Sequence, residues 1–149
     1  MRIHIDTREA KPLDFALDSI LTDTVSSCLQ VGDYQAEYLS GYRSPLIFER
    51  KSLPDLFSTM TAGYARFKRE LTKAADLHIQ LVLIVEGSLA DVYAGIPHST
   101  FAGRSCVQKL FTLWVKYDLA PVFCNTRDEM AAYIREAFYA IGRTHQHGQ

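Results

Sequence analysis

The run "IQLVLIVEG", residues 79–87, constrains the fold of this chain more than any other stretch. It is apolar without alternation, so a strand built from it hides both faces, as happens inside a sheet covered by helices on both sides. It is far too short to cross a bilayer, because its unbroken aliphatic part spans only Leu81 to Val85 and a membrane helix needs about 20 residues. The flanking sequence supplies the covering layers. Residues 2–6, 31–39, 46–51 and 121–124 read as further strands, and the turn "SGYRSP" implies antiparallel pairing of the two strands beside it.

Helices are expected over 63–76, 104–118 and 126–141. The first carries Tyr64, Phe67, Leu71 and Ala74 at spacings of three and four, and the second sets Val107, Leu110, Phe111, Trp114 and Tyr117 on one face. The third opens with a capping pattern, Thr126 followed by Glu129, and buries Met130, Ile134, Ala137, Phe138 and Ile141. Paired strands followed by alternating helix and strand define an α/β domain, a central mixed sheet flanked by helices on both faces. One domain is expected over residues 1–143, with 144–149, "THQHGQ", as a disordered tail.

A net charge of −1 does not announce a nucleic-acid binder, yet the charge is unevenly spread. Between Arg43 and Lys73 seven Lys and Arg face three acids. Cys28, Cys106 and Cys124 lie far apart in no zinc-like pattern, and the N-terminus meets charge at once without a signal-peptide core. Free thiols and a cytoplasmic or nucleoid-associated location, not secretion, are the expectation.

The charged cluster sits at the end of "LIFERKSLPD", residues 46–55. Strand alternation sends Glu49 and Lys51 to one face and Arg50 to the other with Phe48. Asp33 lies early in the strand expected to pair here, which brings it towards Glu49. Two carboxylates 4 Å apart repel by about 4 kcal/mol at an effective dielectric near 20, and a divalent cation offsets that. Mg²⁺ takes one or two carboxylates, keeps waters and accepts phosphate oxygens. Two acids and a lysine around such a cation suit phosphodiester hydrolysis. The alternative at this point is a solvated strand end with an incidental ion pair.

"VGDY" (31–34) followed by "IFERKSLPD" (47–55) resembles the Gly-Asp…Glu-Arg-Lys-x-x-x-Asp signature of the XPF family of structure-specific DNA endonucleases, which have a restriction-endonuclease-like fold. "IDTRE" (5–9) is similar to the family's opening strand, and residues 53–71 to the helix pair after the motif. The resemblance implies that Asp33 and Glu49 hold Mg²⁺ or Mn²⁺, that Lys51 is the catalytic lysine, and that Arg50 and Asp55 support it. It also implies that Asp6 and Arg8 line the same cleft, although a buried ion pair at a strand end is an equal reading for them. Glu86 is expected to stand behind the site. Asp55 also suits the first turn of a helix capped by Ser52.

Arg66, Arg69 and Lys73 recur at three and four opposite the apolar stripe of 63–76. A row like this can follow a DNA backbone or simply face solvent. The loop 94–105 is a candidate cover for the substrate, with His98 an ordinary loop residue. Family members commonly carry a helix–hairpin–helix module after the nuclease domain, and 149 residues leave no room for one. The expected function is metal-dependent endonuclease action on branched or flapped DNA in repair, recombination or replication. Pairing into a homodimer through 104–118 and 126–141, with Phe111, Trp114, Phe138 and Tyr139, is compatible with the apolar content, as is core packing. The other readings are a non-catalytic DNA-binding or dimerising scaffold of the same fold, and an RNA-cleaving or general phosphodiesterase.

Overall fold

The apolar run forms β5 (Gln80–Glu86) in a computed structural model that describes residues 1–148. Leu81, Leu83 and Val85 pack into one layer and Val82 and Ile84 into the other. Burying each such side chain stabilises the fold by about 1.5–3 kcal/mol. The other strands are β1 (Arg2–Asp6), β2 (Asp23–Ser27), β3 (Tyr34–Glu37), β4 (Leu46–Ser52) and β6 (Ala120–Cys124), and the six-stranded order is β2-β1-β3-β4-β5-β6. β1 pairs with β2, β4 with β5 and β5 with β6 in parallel, whereas β3 is antiparallel to both β1 and β4. Five strands therefore run one way and β3 alone runs back.

Helices α1 (Leu53–Met60), α2 (Tyr64–Asp76), α3 (Leu89–Ala94) and α4 (Gly103–Tyr117) form the crossovers β4-to-β5 and β5-to-β6. The first, second and fourth cover the face of Ile47, Leu81, Leu83 and Val85. Helix α5 (Arg127–His147) covers the opposite face, where Met130, Ile134 and Phe138 meet Ile3, Phe48 and Ile84. It lies so close to the β3 hairpin that a Cβ on Gly142 would meet the Tyr38 ring at 2.5 Å, and the Tyr38 hydroxyl donates to the Phe138 carbonyl at 2.6 Å. The sheet is mixed and covered on both faces, as the sequence predicts.

Four details depart from that prediction. Strand β2 is absent from it, because "DTVSS" carries little apolar signal at a sheet edge. On α4 the buried residues are Cys106, Val107, Leu110 and Leu113, while Phe111, Trp114 and Val115 face outwards. Residues 144–147 continue α5 instead of forming a disordered tail, and His145 stacks on Tyr42 at 3.6 Å between ring centroids; Gln149 lies outside the described residues. The 94–105 loop does not cover the cleft described below: Phe101 packs edge-on to Phe57 of α1 at 6.2 Å, and α4 already begins at Gly103. Among the described residues no helix is long and apolar enough to cross a membrane.

Candidate active site

The reversed direction of β3 builds the site. Because five strands share one direction, the ends of β1, β4 and β5 lie together, and the start of β3 joins them there. Gly32 makes the entry possible with φ of +72°, and a Cβ at that position would collide with Ile47. Asp33 follows it, its N–H donating to the Phe48 carbonyl at 2.8 Å and its own carbonyl accepting from Asp6 N at 2.8 Å. The backbone of Asp33 is thus fixed between β1 and β4. Its Oδ2 accepts from the Arg50 amide at 2.7 Å.

Strand alternation works as the sequence predicts. Glu49 continues the Ile47 side and is only 8% exposed, while Arg50 follows Phe48. Lys51 Nζ lies 3.1 Å from Glu49 Oε1. Asp33, Glu49, Arg50 and Asp55 line one cleft of about 780 Å³, together with Arg8, Glu86 and Arg127. Ser52 caps α1 by accepting from Asp55 N at 3.2 Å, which places the exposed Asp55 carboxylate in the helix's first turn at the cleft wall. Lys51 opens onto an adjoining hollow of about 370 Å³ that it shares with Arg66, Phe67 and Glu70. Arg66, Arg69 and Lys73 line a third hollow of about 480 Å³, whose wall also includes Arg8.

Asp6 is not a cleft residue. It is 2% exposed and saturated, its Oδ1 accepting from Leu29 N at 2.9 Å and its Oδ2 from Arg8 N and Nε at 3.1 and 2.7 Å. Of the expected Asp6–Arg8 couple, only Arg8 reaches the cleft. Glu86 is nearer the site than expected, lining the cleft with Oε2 3.9 Å from Arg50 Nη1.

Two functional-site residues escaped the sequence reading. Glu9 clamps the Arg50 guanidinium with both oxygens at 2.8 Å and accepts from the Tyr34 hydroxyl at 3.3 Å. Arg127, at the start of α5, donates to the Lys11 and Pro12 carbonyls at 2.8 and 2.9 Å and so pins the segment that carries Glu9. A cation is unfavourable at a helix N-terminus, which is a local sign that it serves a neighbour. For Glu9 the sequence holds no such sign beyond its place in "IDTRE".

The carboxylates divide into two electrostatic classes. Burial pushes Glu49 up to about 8, with repulsion from Asp33 adding to it and Lys51 opposing. Burial also raises Asp33, to about 6, against the hydrogen bond from the Arg50 amide, while the Glu9 charge adds to the rise. Burial acts on Glu9 as well, but the Arg50 hydrogen bonds outweigh it and hold Glu9 below its usual range. Arg50 is correspondingly fixed in its charged form by Glu9.

Among the described residues, no group of three or more His, Cys, Asp or Glu forms a ready-made cation cage. The donor set nonetheless fits a hard divalent ion: Asp33 and Glu49 offer carboxylate oxygens beside an open cleft, the one or two such ligands that Mg²⁺ uses. Burial is the main cause of their raised proton affinity, and Lys51 does not offset it, so a bound cation would favour the charged pair.

Comparison with known proteins identifies the family and the fold. The domain described as "ERCC4 domain" matches residues 5–137. No curated protein sequence matches. Two similar solved structures are XPF from Aeropyrum pernix and XPF from Aeropyrum pernix in complex with DNA. Each is 20% identical with a TM-score of 0.64, and they cover 91% and 96% of this chain. The chain spans 62% and 65% of the length of those two proteins. At that identity the likeness is one of fold, and it matches the mixed sheet and the helix layers found here. With the domain match running from the end of β1 to the middle of α5, the chain belongs to the ERCC4 domain family.

Proposed function

We propose that this domain is a divalent-metal-dependent DNA endonuclease that hydrolyses phosphodiester bonds. The observation that carries the reading is the convergence of Asp33, Glu49 and Asp55 on one cleft, with the Lys51 ammonium 3.1 Å from Glu49 Oε1. Asp33 and Glu49 would hold Mg²⁺ or Mn²⁺. Such an ion, when bound, supplies charge to a phosphoryl oxygen and lowers the pKa of a water. Lys51 places an ammonium beside Glu49, where it orients the attacking water and opposes negative charge developing on the phosphoryl oxygens. Arg50 orders the site twice, through its amide to Asp33 and through its guanidinium in the Glu9 clamp. Asp55 supports the site from the first turn of α1.

Arg66, Arg69 and Lys73 give α2 an exposed basic face beside the cleft, suited to sequence-independent phosphate contact. The substrate reading is branched or flapped DNA in repair, recombination or replication inside the cell. It is supported by the family and by the DNA in one of the similar structures. A homodimer is part of the proposal, and its surface is the outer face of α4, where Phe111, Trp114 and Val115 are 59%, 42% and 86% exposed. Phe138 is wholly buried, so it belongs to the core and not to that surface.

The test is cleavage of labelled single-stranded, duplex, flap and fork DNA in Mg²⁺, Mn²⁺ or EDTA by the wild type and Asp33→Ala. Metal-dependent cutting lost in the variant supports the reading, and the substrate ranking names the structure preferred. DNA bound but never cut by either protein would favour the scaffold reading. Cutting of RNA alone would favour the phosphodiesterase reading.

A further inference from the structure

The third hollow shares Arg8 with the cleft, and Arg66 and Glu70 with the hollow onto which Lys51 opens, so it joins the other two. At one lip of the cleft stand Lys11 and Arg127. Lys11 is exposed, and only its backbone is engaged, its N–H donating to Glu9. Arg8 is the residue common to the cleft and the third hollow. Its guanidinium is held at a fixed place by Asp6 and by the Leu29 carbonyl at 3.0 Å, yet its side chain remains 66% exposed. Beyond it come Arg66, Arg69 and Lys73, which line the third hollow, with Lys73 Nζ donating to the Gln30 carbonyl at 3.0 Å. The third hollow sets four cations against one carboxylate, Glu70.

Other cations nearby are already used. Lys68 and Lys109 fold over the Tyr64 ring at 4.7 and 4.4 Å, and neither lines these hollows. Open positive charge therefore runs from Lys11 and Arg127 on the cleft wall, through the shared residue Arg8, to the α2 row, with Asp33, Glu49, Asp55, Glu86 and Glu70 as the acids beside it. From Arg66 to Lys73 the helix advances about 10 Å, which lets its three cations meet successive phosphates of one strand.

We infer that one nucleic-acid strand crosses the cleft along this line, with the phosphates on opposite sides of the scissile bond held by different elements. On one side the α2 groove and Arg8 bind about three consecutive phosphates. On the other side Lys11 and Arg127 bind the nearest one or two. This rests on the endonuclease reading and adds to it the course and extent of the bound strand. Because the protein grips phosphates here, it positions the strand without reading its bases.

The experiment is fluorescence-anisotropy binding of labelled oligothymidylate strands of increasing length, in EDTA, from low to moderate salt. The slope of log affinity against log salt should steepen with length and then level off. Arg66→Ala/Arg69→Ala/Lys73→Ala should lower the plateau slope by about 2 and reach it about three nucleotides earlier, since each phosphate left without its cation removes roughly 0.7 from the slope. Lys11→Ala should lower it by about 0.7, additively with the triple variant. Arg104→Ala/Lys116→Ala, on α4 and outside the three hollows, should leave it unchanged. Melting temperatures of all variants confirm folding.

A triple variant that is folded and keeps the wild-type slope and plateau length overturns the inference. So does a control variant that loses as much slope as the triple one. Binding in EDTA does not depend on cleavage, so the two readings separate. A protein that never cuts but loses slope on substitution of α2 would keep the strand path and remove the endonuclease. A metal-dependent nuclease with an unaltered slope would do the reverse.

Discussion

Two acid-and-cation groups end neighbouring parts of the same sheet, and they are electrostatic opposites. At the end of β1, Asp6 is buried and its proton affinity is lowered: burial raises it, but the Arg8 side chain and the Leu29 and Arg8 amides together prevail. Just before β3 and within β4, the half-buried Asp33 and the buried Glu49 are both raised. Residue types are similar, but the Asp33–Glu49 pair is more strongly desolvated and less satisfied. Asp6 has three donors at hydrogen-bond distance, whereas Glu49 has Lys51 and a neighbouring carboxylate. A saturated carboxylate holds structure, and one left short of positive charge is available for a ligand.

The sharpest way to break this comparison is to neutralise one acid at a time. Asp33→Asn or Glu49→Gln should lower metal-dependent cleavage on the order of 10³-fold or more, as expected for a group that acts directly on the reacting centre. In EDTA at pH 8, Glu49→Gln should at the same time raise the melting temperature, because it removes a repulsion. Asp6→Ala should do the opposite, costing about 1–3 kcal/mol by leaving the Leu29 amide without its acceptor. Melting temperatures that moved the same way in both would show that the two groups belong to one electrostatic class.

The Glu9–Arg50 clamp belongs to the saturated class, although it lies within the cleft. Its side chains are 5% and 9% exposed, so removing one partner strands a buried charge. Glu9→Gln should destabilise the fold by about 3–5 kcal/mol, measured by urea unfolding. A loss below about 1 kcal/mol would place the pair with weak surface bridges.

A gentler test is pH. Folded-state affinities raised to about 6 for Asp33 and about 8 for Glu49 lie above the ordinary carboxylate range near 4. Between those limits the native state binds more protons than the unfolded chain. Metal-free stability should be greatest near pH 4 and fall as pH rises towards 8, at up to about 1.4 kcal/mol per unit for each proton of difference. Asp6 and Glu9, held low, act in the acid range below that window. Added Mg²⁺ should stabilise more at pH 8 than at pH 5, since it binds the deprotonated pair. Thermal unfolding over this range, with and without Mg²⁺, checks both signs, and a metal-free curve that rose with pH would refute the assignment.

Legibility in the sequence followed the range of the interaction. Glu49, Arg50 and Lys51 were readable because strand alternation is local, and "GD" beside a paired strand carried Asp33 with them. The central strand announced itself by composition. Glu9 was not readable, because it is 41 positions from the guanidinium it clamps and nothing in its own neighbourhood shows that pairing. Arg127 reaches even further, 116 positions to the Lys11 carbonyl. Helix α4 misled for another reason: Phe111 and Trp114 have the spacing of a buried stripe, and only the placement of α1, α2 and α3 selects Cys106, Val107, Leu110 and Leu113 as the inner face. Asp6 was ambiguous by nature, since a cleft acid and a strand-end ion pair are spelled alike.

Asp55 places the comparison at its finest scale, because it has features of both classes. It caps nothing itself; its amide donates to Ser52, and its carboxylate is exposed at the cleft wall in the first turn of α1. As a structural residue it complements the helix dipole, worth about 0.3–1 kcal/mol. As a site residue it would orient water or a ligand around the Asp33–Glu49 pair, and loss of such outer support typically weakens metal binding about 10-fold or more. Asp55→Asn keeps the shape and removes the charge, so the two contributions can be read separately. The expected result is a melting temperature in EDTA within a few degrees of wild type and a Mg²⁺ midpoint for cleavage raised about 10-fold. An unchanged midpoint with the same small loss of stability would assign Asp55 to the helix alone and leave the functional acids as the two that burial has already set apart.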